Sequence, residues 1–184
     1  MRILAVSGSL RRSSYNTRVL RAAADLVPAG VELELYEELE LVPPYNEDRD
    51  TETPPAAAVR LREAIAGADA LLIATPEYNS SVPGQLKNAV DWASRPFRES
   101  ALWGKPTAVV SASRGAYGAM WAQAELRKVL ARSGARVLDE ELAVSQAHER
   151  FDGDGRLLDE TLRRRLADVV EQLVELADPA AVAA

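Results

Sequence analysis

A chain of 184 residues and 20.0 kDa has the length of one domain rather than two, and at that size a core buries about 70% of the unfolded chain's surface without a disulfide or metal staple. Having no cysteine and one histidine, His148, it has no disulfide framework, thiolate zinc site or thiol nucleophile, and zinc or iron would find only carboxylates. A net charge of −6 is the wrong sign for nucleic acid; the roughly five apolar residues at the N-terminus are too few for a secretory signal, and no run nears the roughly 20 of a membrane span, so a cytoplasmic protein that binds neither nucleic acid nor membrane is expected.

Residues 3–6 form the first apolar run, closed by Ser7, Gly8 and Ser9. A helix follows from about Asn16, with Val19, Leu20, Ala23 and Val27 on one side and Pro28 and Gly30 ending it. In residues 31–36, Val31, Leu33 and Leu35 alternate with Glu32 and Glu34, the pattern of a sheet edge with one polar face. Residues 37–53 keep no period and read as a long surface loop. Pro54 and Pro55 open a helix that Gly67 closes, and residues 68–74 are apolar throughout, as a strand buried on both faces should be.

Pro83 starts a third helix with Leu86, Ala89, Val90 and Ala93 as its apolar stripe. Residues 107–111 predict a fourth strand and residues 120–133 a helix. A last strand is expected over residues 135–144, interrupted by Asp139, Glu140 and Glu141, and a last helix carries Leu162, Leu166, Val169, Val170, Leu173 and Leu176. Five strands alternating with five helices predict an α/β fold with a doubly wound parallel sheet and helices on both faces. Residues 1–178 form its single domain, and residues 179–184 are expected to fray.

Ligands of such sheets bind beyond the carboxyl ends of the strands. Three loops leave strands there: residues 7–17, 75–82 and 111–117. The first puts Ser9, Arg11, Ser14, Asn16 and Thr17 before a helix N-terminus, where free N–H groups and the dipole favour a phosphate. The same Ser and Asn residues also suit plain helix capping. Neither a dinucleotide-binding glycine fingerprint nor a Gly-Lys-Ser/Thr loop is present, so a terminal monophosphate fits better than a buried pyrophosphate. In the second loop, Pro76 and Pro83 stiffen a turn containing Glu77, Tyr78 and Asn79, a preformed platform for a planar heterocycle such as a flavin.

The run Gly8-Ser9-Leu10-Arg11 with Ser14 and Asn16, the run Pro76-Glu77-Tyr78-Asn79, and the run from Pro83-Gly84 through Leu86-Lys87-Asn88-Ala89 to Asp91-Trp92 together resemble the NADPH-dependent FMN reductase family, which includes flavin, quinone, azo and chromate reductases of flavodoxin-like fold. The likeness extends from Met1 to the neighbourhood of Leu130. It implies a strand order of 2-1-3-4-5, with Ser9, Arg11, Ser14, Asn16 and Thr17 holding the FMN phosphate. Pro76, Glu77, Tyr78 and Asn79 would border the isoalloxazine, and Ser111, Ser113 and Gly115 would line its other side. One departure is Trp121, where many members carry an arginine, which makes Trp121 a core or interface residue.

The resemblance further implies hydride transfer from NADPH or NADH to FMN, and on to a small-molecule electron acceptor such as a quinone, a free flavin or an azo compound. The flavin carries that chemistry, so no catalytic side chain is required. Homodimers or homotetramers are usual in the family. The alternatives are a flavodoxin-type FMN electron carrier and a flavin-binding sensor without NAD(P)H turnover. Outside these loops, His148 reads as a solvated loop residue, residues 151–156 as a plain turn rather than a calcium loop, and Arg163, Arg164 and Arg165 as a solvated helix face.

Overall fold

The apolar runs become a parallel sheet. In the computed structural model, which describes residues 1–178, the chain passes through β1 (Arg2–Ser7), α1 (Tyr15–Ala24), β2 (Glu32–Tyr36), α2 (Ala56–Ala66), β3 (Ala70–Thr75), α3 (Gly84–Ala93) and β4 (Pro106–Ala112). It continues through α4 (Met120–Arg132), β5 (Arg136–Val137), β6 (Leu142–Val144), α5 (Ala147–Arg150) and α6 (Glu160–Ala177). The expected frayed tail, residues 179–184, lies outside the described residues. The strands order as β2-β1-β3-β4-β5, all parallel, with the alternating β2 at one edge as its pattern predicts.

Successive side chains of a strand face opposite sides, and the core divides accordingly. Ile3, Ala5, Leu72, Ala74 and Val110 pack with Val19, Leu20 and Ala23 of α1 and Leu166, Val169, Val170 and Leu173 of α6. Leu4, Val6, Leu71, Ile73 and Val109 pack on the other face with residues of α2, α3 and α4, among them Leu61, Leu86, Trp92 and Leu126. The central strands β1, β3 and β4 are therefore buried on both faces, and their carboxyl ends are the fixed points from which the ligand loops start.

Two expectations are corrected here. The single last strand is two short ones: β5 pairs with the start of β4 at Pro106 and Thr107, and β6 pairs with its end at Val110, Ser111 and Ala112. Three consecutive acidic residues cannot be buried in a pleat, so residues 139–141 turn outward, Asp139 and Glu141 to Arg127 and Glu140 to Arg165. The Arg127 guanidinium donates to the carbonyls of Leu138 (3.1 Å) and Asp139 (3.0 Å) and pairs with Glu141. In addition, His148 sits on the short helix α5, not in a loop; it is exposed, and its Nε2 lies 3.4 Å from the Glu149 carboxylate.

The long loop of residues 37–53 is less superficial than its composition suggests. Leu39 and Val42 are buried at 3% and 2% exposure, in a segment with short 3-10 turns at Leu39–Leu41 and Glu47–Arg49. One face of α3 holds it. Gln85 Nε2 donates to the carbonyls of Leu39 (2.6 Å) and Val42 (2.9 Å), Asn88 Nδ2 and Trp92 Nε1 each donate to the Pro43 carbonyl at 2.8 Å, and Asn88 Oδ1 accepts from the Tyr45 N–H at 2.6 Å. Residues spaced by three and four on a helix share a face, and that spacing is what lets α3 carry the strap.

Candidate functional site

Because β1, β3 and β4 run parallel, the loops that follow them share one edge of the sheet. Gly8 joins the first two. Its N–H donates to the Ala74 carbonyl at 2.8 Å, and a Cβ at this position would lie 2.6 Å from Leu86 Cδ2 and 3.2 Å from Pro76 Cδ. Only glycine permits that approach.

The first loop leaves its donors free. Ser14 is the N-cap of α1, accepting from the Thr17 N–H, while Thr17 Oγ1 donates to Ser7 Oγ at 2.9 Å. Among the described residues, the N–H groups of Arg11, Arg12, Ser13, Tyr15 and Asn16 have no intrachain acceptor, and the exposed Arg11 side chain has no partner. A loop of unpaired N–H groups at a helix N-terminus beside a guanidinium has the donor set of a phosphate cradle.

Asn16 departs from its expected role. It is buried, its Nδ2 donating to the Ala112 carbonyl (3.0 Å) and its Oδ1 accepting from the Ala112 N–H (2.9 Å). This amide fastens the start of α1 to the end of β4, so its side chain positions the cradle and only its backbone N–H faces outward as a donor.

The second loop is closed upon itself. Tyr78 and Ser81 exchange both backbone hydrogen bonds (3.1 and 3.2 Å) around Asn79 and Ser80, whose φ angles of 53° and 60° make a two-residue turn of the primed kind. Two carboxylates then tie it to α4. Glu77 Oε2 accepts from the N–H groups of Trp121 and Ala122, both at 3.1 Å, capping a helix whose own N-cap, Ala119, has no side-chain acceptor. In the other direction Glu125 Oε2 accepts from Ser81 Oγ (2.7 Å) and the Val82 N–H (3.3 Å). Glu77 was expected beside the planar ligand, but its carboxylate is spent on α4. Pro76 is buried under the turn, whereas Tyr78 (49% exposed) and Asn79 stand at the surface.

The third loop is pinned by its carbonyl and N–H groups. Ser113 donates its N–H to Val144 (3.1 Å) and accepts from the Ala147 N–H (2.9 Å), and the Gly115 carbonyl accepts from the Gln146 N–H (3.0 Å). Ser113 Oγ accepts from the Gly115 N–H at 3.2 Å, so these two residues reach the edge together. Ser111 does not: it is fully buried, with its hydroxyl 2.7 Å from both the Gly118 carbonyl and Gln123 Oε1. Its place is inside, beneath the turn into α4. Trp121 is no core residue either, since it is 47% exposed with its ring 4.8 Å from that of Tyr117.

The groups whose titration the fold visibly moves stand outside these loops. At the end of β2, burial and then Glu38 raise the Tyr36 hydroxyl above its ordinary range, and its neighbour Arg60 is raised by a hydrogen bond to Glu38. Burial lowers the Lys105 ammonium, with Asp69 opposing the shift. Residues 151–156 form a turn in which the Asp152 carboxylate accepts from the Arg156 N–H at 2.8 Å.

Comparison with known proteins agrees with this geometry. The profile of the NADPH-dependent FMN reductase family matches residues 1–149. An NAD(P)H-dependent FMN reductase of Pseudomonas aeruginosa is 45% identical over 174 residues, 94% of this chain and 93% of that one. A quinone reductase of Pseudomonas putida is 46% identical over 160 residues, 86% of each chain. Among solved structures, the FerB flavoenzyme NAD(P)H:(acceptor) oxidoreductase of Paracoccus denitrificans superposes with a TM-score of 0.85 at 35% identity, covering 96% of both chains.

Proposed function

The chain belongs to the NADPH-dependent FMN reductase family, and from that premise we propose how its residues divide the work of an FMN-dependent oxidoreductase that draws electrons from NAD(P)H. Arg11, Ser9, Ser14 and the free N–H groups of Tyr15 and Asn16 hold the FMN phosphate. Thr17 braces that loop through Ser7, and the Asn16 amide braces it through Ala112. Pro76, Tyr78 and Asn79 border the ring, held in place by Glu77, while Ser113 and Gly115 line its other side and Ser111 supports the turn from below. The observation that carries this reading is the cradle of unpaired donors at α1, placed next to a turn that needs no ligand to keep its shape.

Bound FMN supplies the hydride-accepting ring; the protein orients it and aims N–H dipoles at its edge. The acceptor is a small molecule of the quinone or flavin class. Residues 1–178 act as one FMN-binding domain in the cytoplasm, assembled as a homodimer or homotetramer. No helix among the described residues is long and apolar enough to cross a membrane, and the exposed Tyr117 and Trp121 rings supply apolar surface for assembly.

The test is the visible spectrum of the FMN-reconstituted protein, recorded without oxygen before and after NADPH is added. Bleaching of the flavin bands is expected; a bound flavin that stays oxidised overturns the reductase reading in favour of an electron carrier. A charge-assisted hydrogen bond contributes about 1.5–3 kcal/mol, so Arg11→Ala weakens FMN binding about tenfold to a hundredfold. An unchanged dissociation constant would remove Arg11 from the site.

A further inference from the structure

A cleft of about 630 Å³ lies beside the loop that follows β1, between α1 and the segment leading into α6. Five guanidinium groups line it: Arg12, Arg18 and Arg21 from the α1 side, Arg156 and Arg163 from the other. Only two carboxylates face them, Asp25 and Asp154, and among the described residues none of the five arginines forms an ion pair. In a chain where acids outnumber bases, and where Arg60, Arg62, Arg127 and Arg150 each hold a carboxylate elsewhere, such a gathering of like charge opposes the fold unless something neutralises it.

The walls are built, not loose. The turn carrying Arg156 is closed by the Phe151–Leu157 bridge and the Asp152 carboxylate. It is then set against α1 by the Phe151 ring, 6.0 Å from that of Tyr15, and a Cβ at Gly155, where φ is +85°, would lie 3.8 Å from the Arg18 side chain. Ala22 and Leu157 are the apolar residues of the lining, which suits neither an apolar ligand nor a helix face.

We propose that this cleft is a second anion site, taking a small molecule that carries two or more phosphate groups, such as pyrophosphate or a nucleoside di- or triphosphate. Planar guanidinium forks match phosphate oxygens in pairs. A single phosphate dianion is balanced by two of them, and the cleft offers three positive charges in excess. Ser13, Ser14 and Thr17 border both this cleft and the cradle assigned to the flavin phosphate, so the two must be separated by experiment.

Inorganic pyrophosphate is titrated calorimetrically into the full chain at fixed ionic strength, with and without saturating FMN, and the same is done with an Arg21→Glu/Arg163→Glu variant. Both residues are exposed and unpaired, so the variant keeps its fold. One pyrophosphate per chain is expected whether or not FMN is bound, weakened more than tenfold in the variant, while the FMN dissociation constant stays the same. Pyrophosphate that binds only the FMN-free protein overturns the proposal, because it is then occupying the flavin-phosphate cradle. Equal affinity in the variant overturns it as well. Should FMN itself fail to bind, the FMN-free titration and its loss in the variant still read the cleft.

Discussion

The loops after β1 and β3 touch at Gly8, yet they are finished to different degrees. The second is complete on its own: its turn is closed by two backbone bonds, and Glu77 and Glu125 cross-stitch it to α4. The first keeps a row of N–H groups and the Arg11 guanidinium without partners among the described residues. A loop whose donors are unpaired is completed by its ligand, whereas a loop whose polar groups are satisfied acts as a wall whose shape precedes binding. Changes in the first loop should therefore register in ligand affinity, and changes in the second should register in stability before affinity.

Asn16 breaks that rule within the first loop and provides the largest expected effect. Asn16→Ala leaves the Ala112 N–H and carbonyl without partners in a buried place. At roughly 1–3 kcal/mol per orphaned group, the loss is about 2–6 kcal/mol, or about 4–24 °C in Tm for a chain of this size. Thermal denaturation of the FMN-free protein measures it. Arg11→Ala, which severs nothing in the fold, should move the same Tm by less than about 1 °C. If Asn16→Ala melts where the wild type does, the amide is not a brace.

Glu77 comes next. Removing a helix cap costs about 0.5–2 kcal/mol, so Glu77→Ala should lower the Tm by about 2–6 °C as the N–H groups of Trp121 and Ala122 lose their acceptor. Glu77→Gln keeps an acceptor oxygen and loses only the charge facing the helix dipole, an effect of about 0.3–1 kcal/mol. A Glu77→Ala variant with an unaltered Tm and a weakened flavin would return the carboxylate to the ligand and erase the contrast between the loops.

Which of these features the sequence could show follows from how far each one reaches. The strands β1, β3 and β4 were legible because a strand buried on both faces is a near-continuous apolar run, and the alternation of Val31, Leu33 and Leu35 marked β2 as an edge. The run of hydroxyls, arginines and a helix start after β1 was legible too, since these are consecutive residues. Asn16 and Glu77 were recognised as polar residues at the right edge, but their partners lie 96 and 44 residues away, and local pattern carries no such information. The inward turn of Ser111 was hidden for a related reason: a serine ending a strand can face solvent or core, and its hydrogen bond to Gln123 on α4 is set by a residue of another element. Glu125 carried no signal at all, being one more acid on an exposed helix face.

The smallest effect tests whether the second loop is as settled as its hydrogen bonds imply. Asn79 tolerates the left-handed region through its short polar side chain, but Ser80, at φ 60°, occupies it at a steric cost of about 1–2 kcal/mol. Ser80→Gly removes that cost and makes the Asn-Gly pair that two-residue primed turns favour. Against this stands the greater freedom of glycine in the unfolded chain, about 0.5–1 kcal/mol. The balance is a gain of at most about 1.5 kcal/mol, a rise in Tm of about 3–6 °C or less, with FMN affinity unchanged because the backbone path is the same. A fall in Tm would mean that Ser80 is not strained, and that the second loop owes its shape to Glu77 and Glu125 alone.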